Sequence, residues 1–95
     1  MKILAIEKEI TKELGNQALM AEEAQRIYEL YKADKIREIY FQKQNHTAVI
    51  IFEVTDIIEA RNLINSLPLV KSNMIDFELM ELIPYNGLDR IIEKL

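Results

Sequence analysis

Hydrophobic positions change period several times along the chain, and each change marks an element. Ile3 to Ile6 is an apolar run ended by charge, which predicts a first strand. Gly15-Asn16 interrupts the pattern. From Asn16, a residue type that caps helices, Met20, Ala24, Ile27 and Tyr31 recur at helical spacing, with Glu22, Glu23, Gln25, Arg26 and Glu29 on the polar side. This predicts a helix ending near Asp34. Residues 36–44 and 47–54 are strand-like and are joined by Asn45-His46, read as a two-residue hairpin loop. Such a loop sets Gln44 opposite Thr47, Gln42 opposite Val49, Tyr40 opposite Ile51 and Glu38 opposite Glu53. The other side of this pair carries Phe41 with Ile50 and Ile39 with Phe52, and being purely apolar it is the side expected under helices.

Asp56 followed three residues later by Glu59 resembles a capping box, and Ile57, Ala60, Ile64 and Leu67 continue as an amphipathic stripe up to Pro68. Residues 74–83 alternate as a fourth strand, with Ile75, Phe77, Leu79 and Ile83 against Asp76, Glu78 and Met80, and Pro84 closes it. Leu88, Ile91, Ile92 and Leu95 form one apolar stripe, predicting a short C-terminal helix over about residues 88–95. The order is βαββαβ plus a terminal helix, an α+β fold in one domain over residues 1–95: a four-stranded antiparallel sheet with two helices on one face. The opposite face carries Leu4, Ile6, Tyr40, Val49, Ile51 and Met80. That is a large apolar surface for a monomer to leave in water, and a second copy stacked on it two-fold would bury it as a homodimer.

Composition narrows the function classes. The chain has 95 residues, 49% hydrophobic and 29% charged, a balance that supports one globular core. Its longest apolar runs, such as Ala48 to Phe52, are strand-sized, so no membrane association is expected. With a formal net charge of -4 and scattered basic residues, a nucleic-acid-binding surface is not expected either. Cysteine is absent, which excludes disulfides, thiolate catalysis and cysteine-built zinc sites. The glycines, Gly15 and Gly87, are isolated, so there is no phosphate-cradling loop. One histidine and dispersed acids give no metal-ligand spacing, and no cofactor is expected. Met1 to Ile6 runs straight into charged residues without the apolar region of a signal peptide, and the expected location is cytoplasmic.

Phe52-Glu53-Val54, then Ser66-Leu67-Pro68-Leu69, then Ile75-Asp76-Phe77 and Pro84, resemble the pattern of the muconolactone isomerase-like proteins. The resemblance spans most of the chain. It implies a ferredoxin-like dimeric α/β barrel, homodimeric and in places assembled into larger rings of dimers, with a small-molecule pocket between the sheets. The implied activity is that of a muconolactone delta-isomerase, shifting a double bond by proton transfer in a small lactone acid. By the same resemblance Glu53 stands where the family has Asp, Tyr40 where it has Trp, and Glu38 where it commonly has His. Phe41 and Asn45 occupy Arg positions, Ile6 replaces a basic residue, and Leu82-Ile83 replaces an Arg-His pair. A lactone bearing a carboxylate needs a cation to hold it. An alternative is therefore carried alongside: a non-catalytic small-ligand-binding or structural homo-oligomer of the same fold.

Glu38, Tyr40 and Glu53 are the candidate catalytic residues. Two carboxylates facing each other across a hairpin would repel, so that one holds its proton as an acid while the other serves as base. The competing account places both at a solvated rim, paired with basic residues of a partner copy. Tyr40 either donates its hydroxyl to a ligand oxygen or fills an interface. His46 is read as an exposed turn residue and Tyr31 as core packing. Glu7-Lys8-Glu9, Glu22-Glu23 and Glu93-Lys94 are read as solvated charge runs.

Overall fold

In the computed structural model, described here for residues 1–11 and 16–92, each of the two longer helices starts where a polar side chain meets the backbone donors of its first turn. Asn16 Oδ1 accepts from the Leu19 amide at 2.7 Å to open α1, Gln17–Lys32. Asp56 Oδ1 accepts from the Glu59 amide at 2.8 Å to open α2, Ile57–Asn65, and Glu59 Oε1 returns to the Thr55 amide at 2.8 Å. That reciprocal pair completes a capping box displaced by one residue toward Thr55. Pro68 ends nothing by itself. It stands at the first position of a separate short helix, α3, Pro68–Lys71, where a missing amide costs no hydrogen bond.

Both α1 and α3 close through the same device. The Lys35 amide donates to the Leu30 carbonyl at 2.9 Å and the Met74 amide to the Leu69 carbonyl at 3.0 Å, with Asp34 at φ 63° and Asn73 at φ 62° in the left-handed conformation between. Short polar side chains tolerate that region better than most. Each turn delivers the chain directly into the strand that follows.

The strands are β1, Lys2–Glu9, β2, Ile36–Phe41, β3, Ala48–Glu53, and β4, Ile75–Leu82, followed by a last turn of helix, α4, Asp89–Ile92. They form one antiparallel sheet in the order β2-β3-β1-β4, and the helices lie on one side of it. This is the α+β, ferredoxin-like arrangement. Residues 93–95, the end of the predicted terminal helix, lie outside the described residues, as does Gly15.

The helix-covered face is built by alternation. Ile3 and Ala5 on β1, Ile50 and Phe52 on β3, and Phe77 on β4 are almost wholly buried, and Ala60, Ile64 and Leu67 close over them without exposure. The opposite face carries Leu4, Ile6, Val49, Ile51 and Met80, paired as Leu4 with Ile51 and Met80, and Ile6 with Val49. These are the residues that the alternation predicts there.

The hairpin register differs from the expected one. Tyr40 pairs with Val49, Phe41 with Ala48, Ile39 with Ile50 and Glu38 with Ile51, a slip of two residues. The turn is longer than two residues: the Gln42 amide donates to the Thr47 carbonyl at 2.8 Å, and the His46 amide to the Gln42 carbonyl at 2.9 Å. Asn45 acts through its side chain, whose Oδ1 accepts from the Thr47 amide at 3.2 Å and hydroxyl at 2.8 Å, while His46 takes the left-handed φ of 58°. Because strand side chains repeat every two residues, a slip of two keeps every residue on its expected face. What changes is who faces whom. A bulge between Ile36 and Glu38 restores Ile36 to Phe52, burying Ile36.

Candidate functional site

The two helices do not cover the sheet equally. Under α2 the face is packed dry; toward the hairpin end, α1 stands off the sheet and a cavity of about 720 Å³ opens between them. Its floor is Ala48, Ile50, Ile75 and Phe77, and its roof is the α1 stripe Met20, Ala24, Ile27 and Tyr31 together with Tyr28. Tyr31, expected in the core, is 55% exposed and forms the wall of this space instead. Phe41 and His46 stack at the hairpin tip, ring centres 4.0 Å apart and planes at 16°, and also face the cavity. His46 is exposed in the hairpin loop, as expected, and also borders this space.

Two carboxylates enter this mostly apolar space from opposite layers. Glu7 lies on β1 two residues beyond Ala5, on the helix side, and its Oε1 accepts from the Ala48 amide at 2.9 Å. Glu23 lies on α1 between Met20 and Ile27, and its Oε1 accepts from the Leu69 amide at 3.0 Å at the start of α3. Both hydrogen bonds hold a carboxylate by backbone, which fixes its direction. Burial pushes the Glu23 carboxyl above the usual carboxylate range; the Leu69 amide partly opposes this, and the charge on Glu7 reinforces it. A carboxyl that keeps its proton to higher pH beside a second carboxylate is the arrangement that separates an acid from a base.

The residues singled out from sequence are distributed differently. Glu38 and Tyr40 come together, the Tyr40 hydroxyl donating to Glu38 Oε1 at 2.7 Å, and that bond to a carboxylate raises the phenol's pKa. Tyr40 also borders the cavity. Glu53 is not opposite Glu38. It faces Lys2 across β1 and β3, with the Met1 amino group 2.9 Å from Oε2 and Lys2 Nζ 3.6 Å from Oε1. The hydrogen bond from the amino group, more than the charges of Lys2 and Arg37, holds Glu53 below the usual carboxylate range against its partial burial. The expected repelling pair is therefore replaced by two separate settings: a tyrosine-bonded Glu38 and a cation-bound Glu53.

Glu7 and Glu23, members of charge runs expected to be solvated, line the cavity instead. Their placement has a sequence signal nonetheless: Glu7 continues the alternation Ile3, Ala5, and Glu23 is three residues after Met20 and four before Ile27. Both sit in phase with the apolar face. Among the described residues no group of three or more His, Cys, Asp or Glu is placed to hold a metal ion, and no helix is long and apolar enough to cross a membrane.

The four-stranded sheet, with helices on one face and a hollow beneath the first of them, is a ferredoxin-like α+β fold. Solved structures that share this fold include two. One is muconolactone isomerase, similar over 92% of this chain and 93% of that one at 16% identity and a TM-score of 0.76. The other is 5-chloro-2-hydroxyhydroquinone dehydrochlorinase from Burkholderia phenoliruptrix AC1100 in complex with 2,5-dihydroxybenzoquinone, covering 90% and 96% at 16% identity and a TM-score of 0.66. No family model matches the sequence, and no curated protein does. At such identities the likeness is one of fold.

Proposed function

We propose that the protein moves a proton on a small ring compound held in the cavity under α1, in the manner of the muconolactone isomerase type. The observation that carries this reading is the pairing of Glu7 and Glu23 across an apolar space, with Glu23 raised by burial. A carboxylate at Glu7 takes a proton from a ring carbon next to a carbonyl. The electron pair moves into the ring as an enol or dienol, and Glu23, which burial helps to keep its proton, returns one at a second carbon from its acid form, so the double bond shifts with no change in redox state. Tyr40, at the rim, offers its ring edge to the bound ring, its hydroxyl proton being given to Glu38.

The test follows deuterium from solvent into α-angelica lactone, an uncharged enolisable lactone, by NMR. Exchange and double-bond shift above the uncatalysed background are expected, falling about a hundredfold to ten-thousandfold in Glu23→Gln. Gln keeps the acceptor for the Leu69 amide, so the fold is retained. Equal rates with and without protein would leave a non-catalytic ring-binding protein as the surviving account.

The open face is assigned to assembly. Leu4, Ile6, Val49, Ile51 and Met80 stack on the same residues of a second copy, with Glu38 and Glu53 in its polar rim. Light scattering should give twice the 11.2 kDa chain mass, and Ile51→Lys should reduce it toward the single chain. A stable monomer of the unaltered protein would end this reading.

A further inference from the structure

The charge of the cavity's wall says more than its shape. Three carboxylates, Glu7, Glu9 and Glu23, line it, and among the described residues no lysine or arginine does. Glu7 and Glu23 cannot swing away from a ligand without giving up the Ala48 and Leu69 amides. The rest of the lining is mostly apolar, largely aliphatic on the floor and along α1, with the rings of Tyr28, Tyr31 and the stacked Phe41 and His46 at its sides. A volume of about 720 Å³ suits a one- or two-ring molecule.

We infer that the cavity takes an uncharged planar ring bearing enolic or phenolic hydroxyl groups, and turns away rings that carry a carboxylate. The inference rests on the cavity being the substrate site. Fixed carboxylate oxygens are acceptors, and ring hydroxyls are the donors that satisfy them. The aromatic walls present faces on which a planar ring lies offset or edge-on. An anion would be brought beside like charge in a space poor in water, where repulsion is screened least. A cation would be drawn to the carboxylates but would give up its hydration against an apolar wall, so a neutral ring that bonds them through its hydroxyls fits at lower cost.

Three near-isosteric phenols separate the cases: tyrosol, 4-hydroxyphenylacetate and tyramine, titrated at pH 7 and followed by amide chemical shifts. Tyrosol should bind saturably and shift the amides around Ala48 and Leu69. The anion should bind at least about fivefold more weakly, and Glu7→Gln, which removes the charge of the base but keeps an acceptor for the Ala48 amide, should narrow that gap. The inference is overturned by an anion-to-tyrosol gap smaller than about fivefold, by tyramine binding more than about fivefold tighter than tyrosol, or by no tyrosol binding at the cavity. If tyrosol binds as expected but α-angelica lactone exchanges no deuterium, proton transfer fails and the charge selection stands. If exchange proceeds while anions bind as well as neutral rings, the reverse holds.

Discussion

The two ends of the helix-covered face are made of the same four strands, yet one is solid and the other hollow. At the first end Ile3, Phe52 and Ile36 meet Ile64 and Leu67 at exposures of 2% or less. At the second end β1 has passed from Ile3 and Ala5 to Glu7, and β2 ends in Ile39 and Phe41, 37% and 61% exposed, beneath a helix that presents Glu23 and Tyr31. Sheet twist and alternation are common to both ends, so the difference lies in the residues offered. Aliphatic side chains from α2 interlock with the sheet at close-packed density, whereas carboxylates and tyrosine rings from α1 cannot close the layer without stranding polar groups. The solid end anchors the platform that keeps the hollow end in shape.

That division predicts unequal costs for the same truncation. Phe52→Ala removes a fully buried ring and should destabilise the fold by about 3–5 kcal/mol, read as a large fall in thermal midpoint. Phe41→Ala removes a ring more than half in water and should cost less than about 1 kcal/mol, while weakening tyrosol binding through the lost stack on His46. Similar losses of stability in both variants would mean that the hairpin end is packed as tightly as the α2 end, and the division would go with it.

The fold was legible because its determinants are local and periodic. Asn16 and Asp56 cap the helices, and Ile3, Ala5, Ile50 and Phe52 alternate as a buried face should. The hairpin register was not, because it depends on a turn in which Asn45 contributes an acceptor side chain and His46 the left-handed backbone, the reverse of the roles their residue types suggest. That slip moved Glu38 from Glu53 to Ile51 and so dissolved the expected acid pair. The cavity was hidden for another reason. A stripe such as Met20, Ala24, Ile27 and Tyr31 looks the same whether it touches the sheet or stands off it, and phase alone would have admitted Glu7 and Glu23 to it only if charge had not been taken as a mark of solvent.

The smallest effect is a matter of pH, and it separates the ends by sign. Glu23, at the hollow end, has a folded pKa raised above its ordinary 4.5, so the folded chain holds that proton more tightly than the unfolded one. Its contribution to stability is complete below pH 4.5 and is lost as the pH climbs through the raised value. Glu53, Glu59 and Asp76, outside the cavity, are lowered by the Met1 amino group, the Thr55 amide and the Phe77 amide respectively. Their contribution runs the other way, present above ordinary values of 4.5, 4.5 and 3.8 and lost as the pH falls through their folded ones. Thermal midpoints of the protein and of Glu23→Gln, measured from pH 3 to 8, should therefore share an acid limb and diverge above it, the variant holding its midpoint where the unaltered chain declines. Glu7 and Glu9 face the same space, so Glu7→Gln should lessen the decline without abolishing it. Curves that stay parallel across the whole range would show that Glu23 is as well solvated as any surface acid, and that the hollow end is open water.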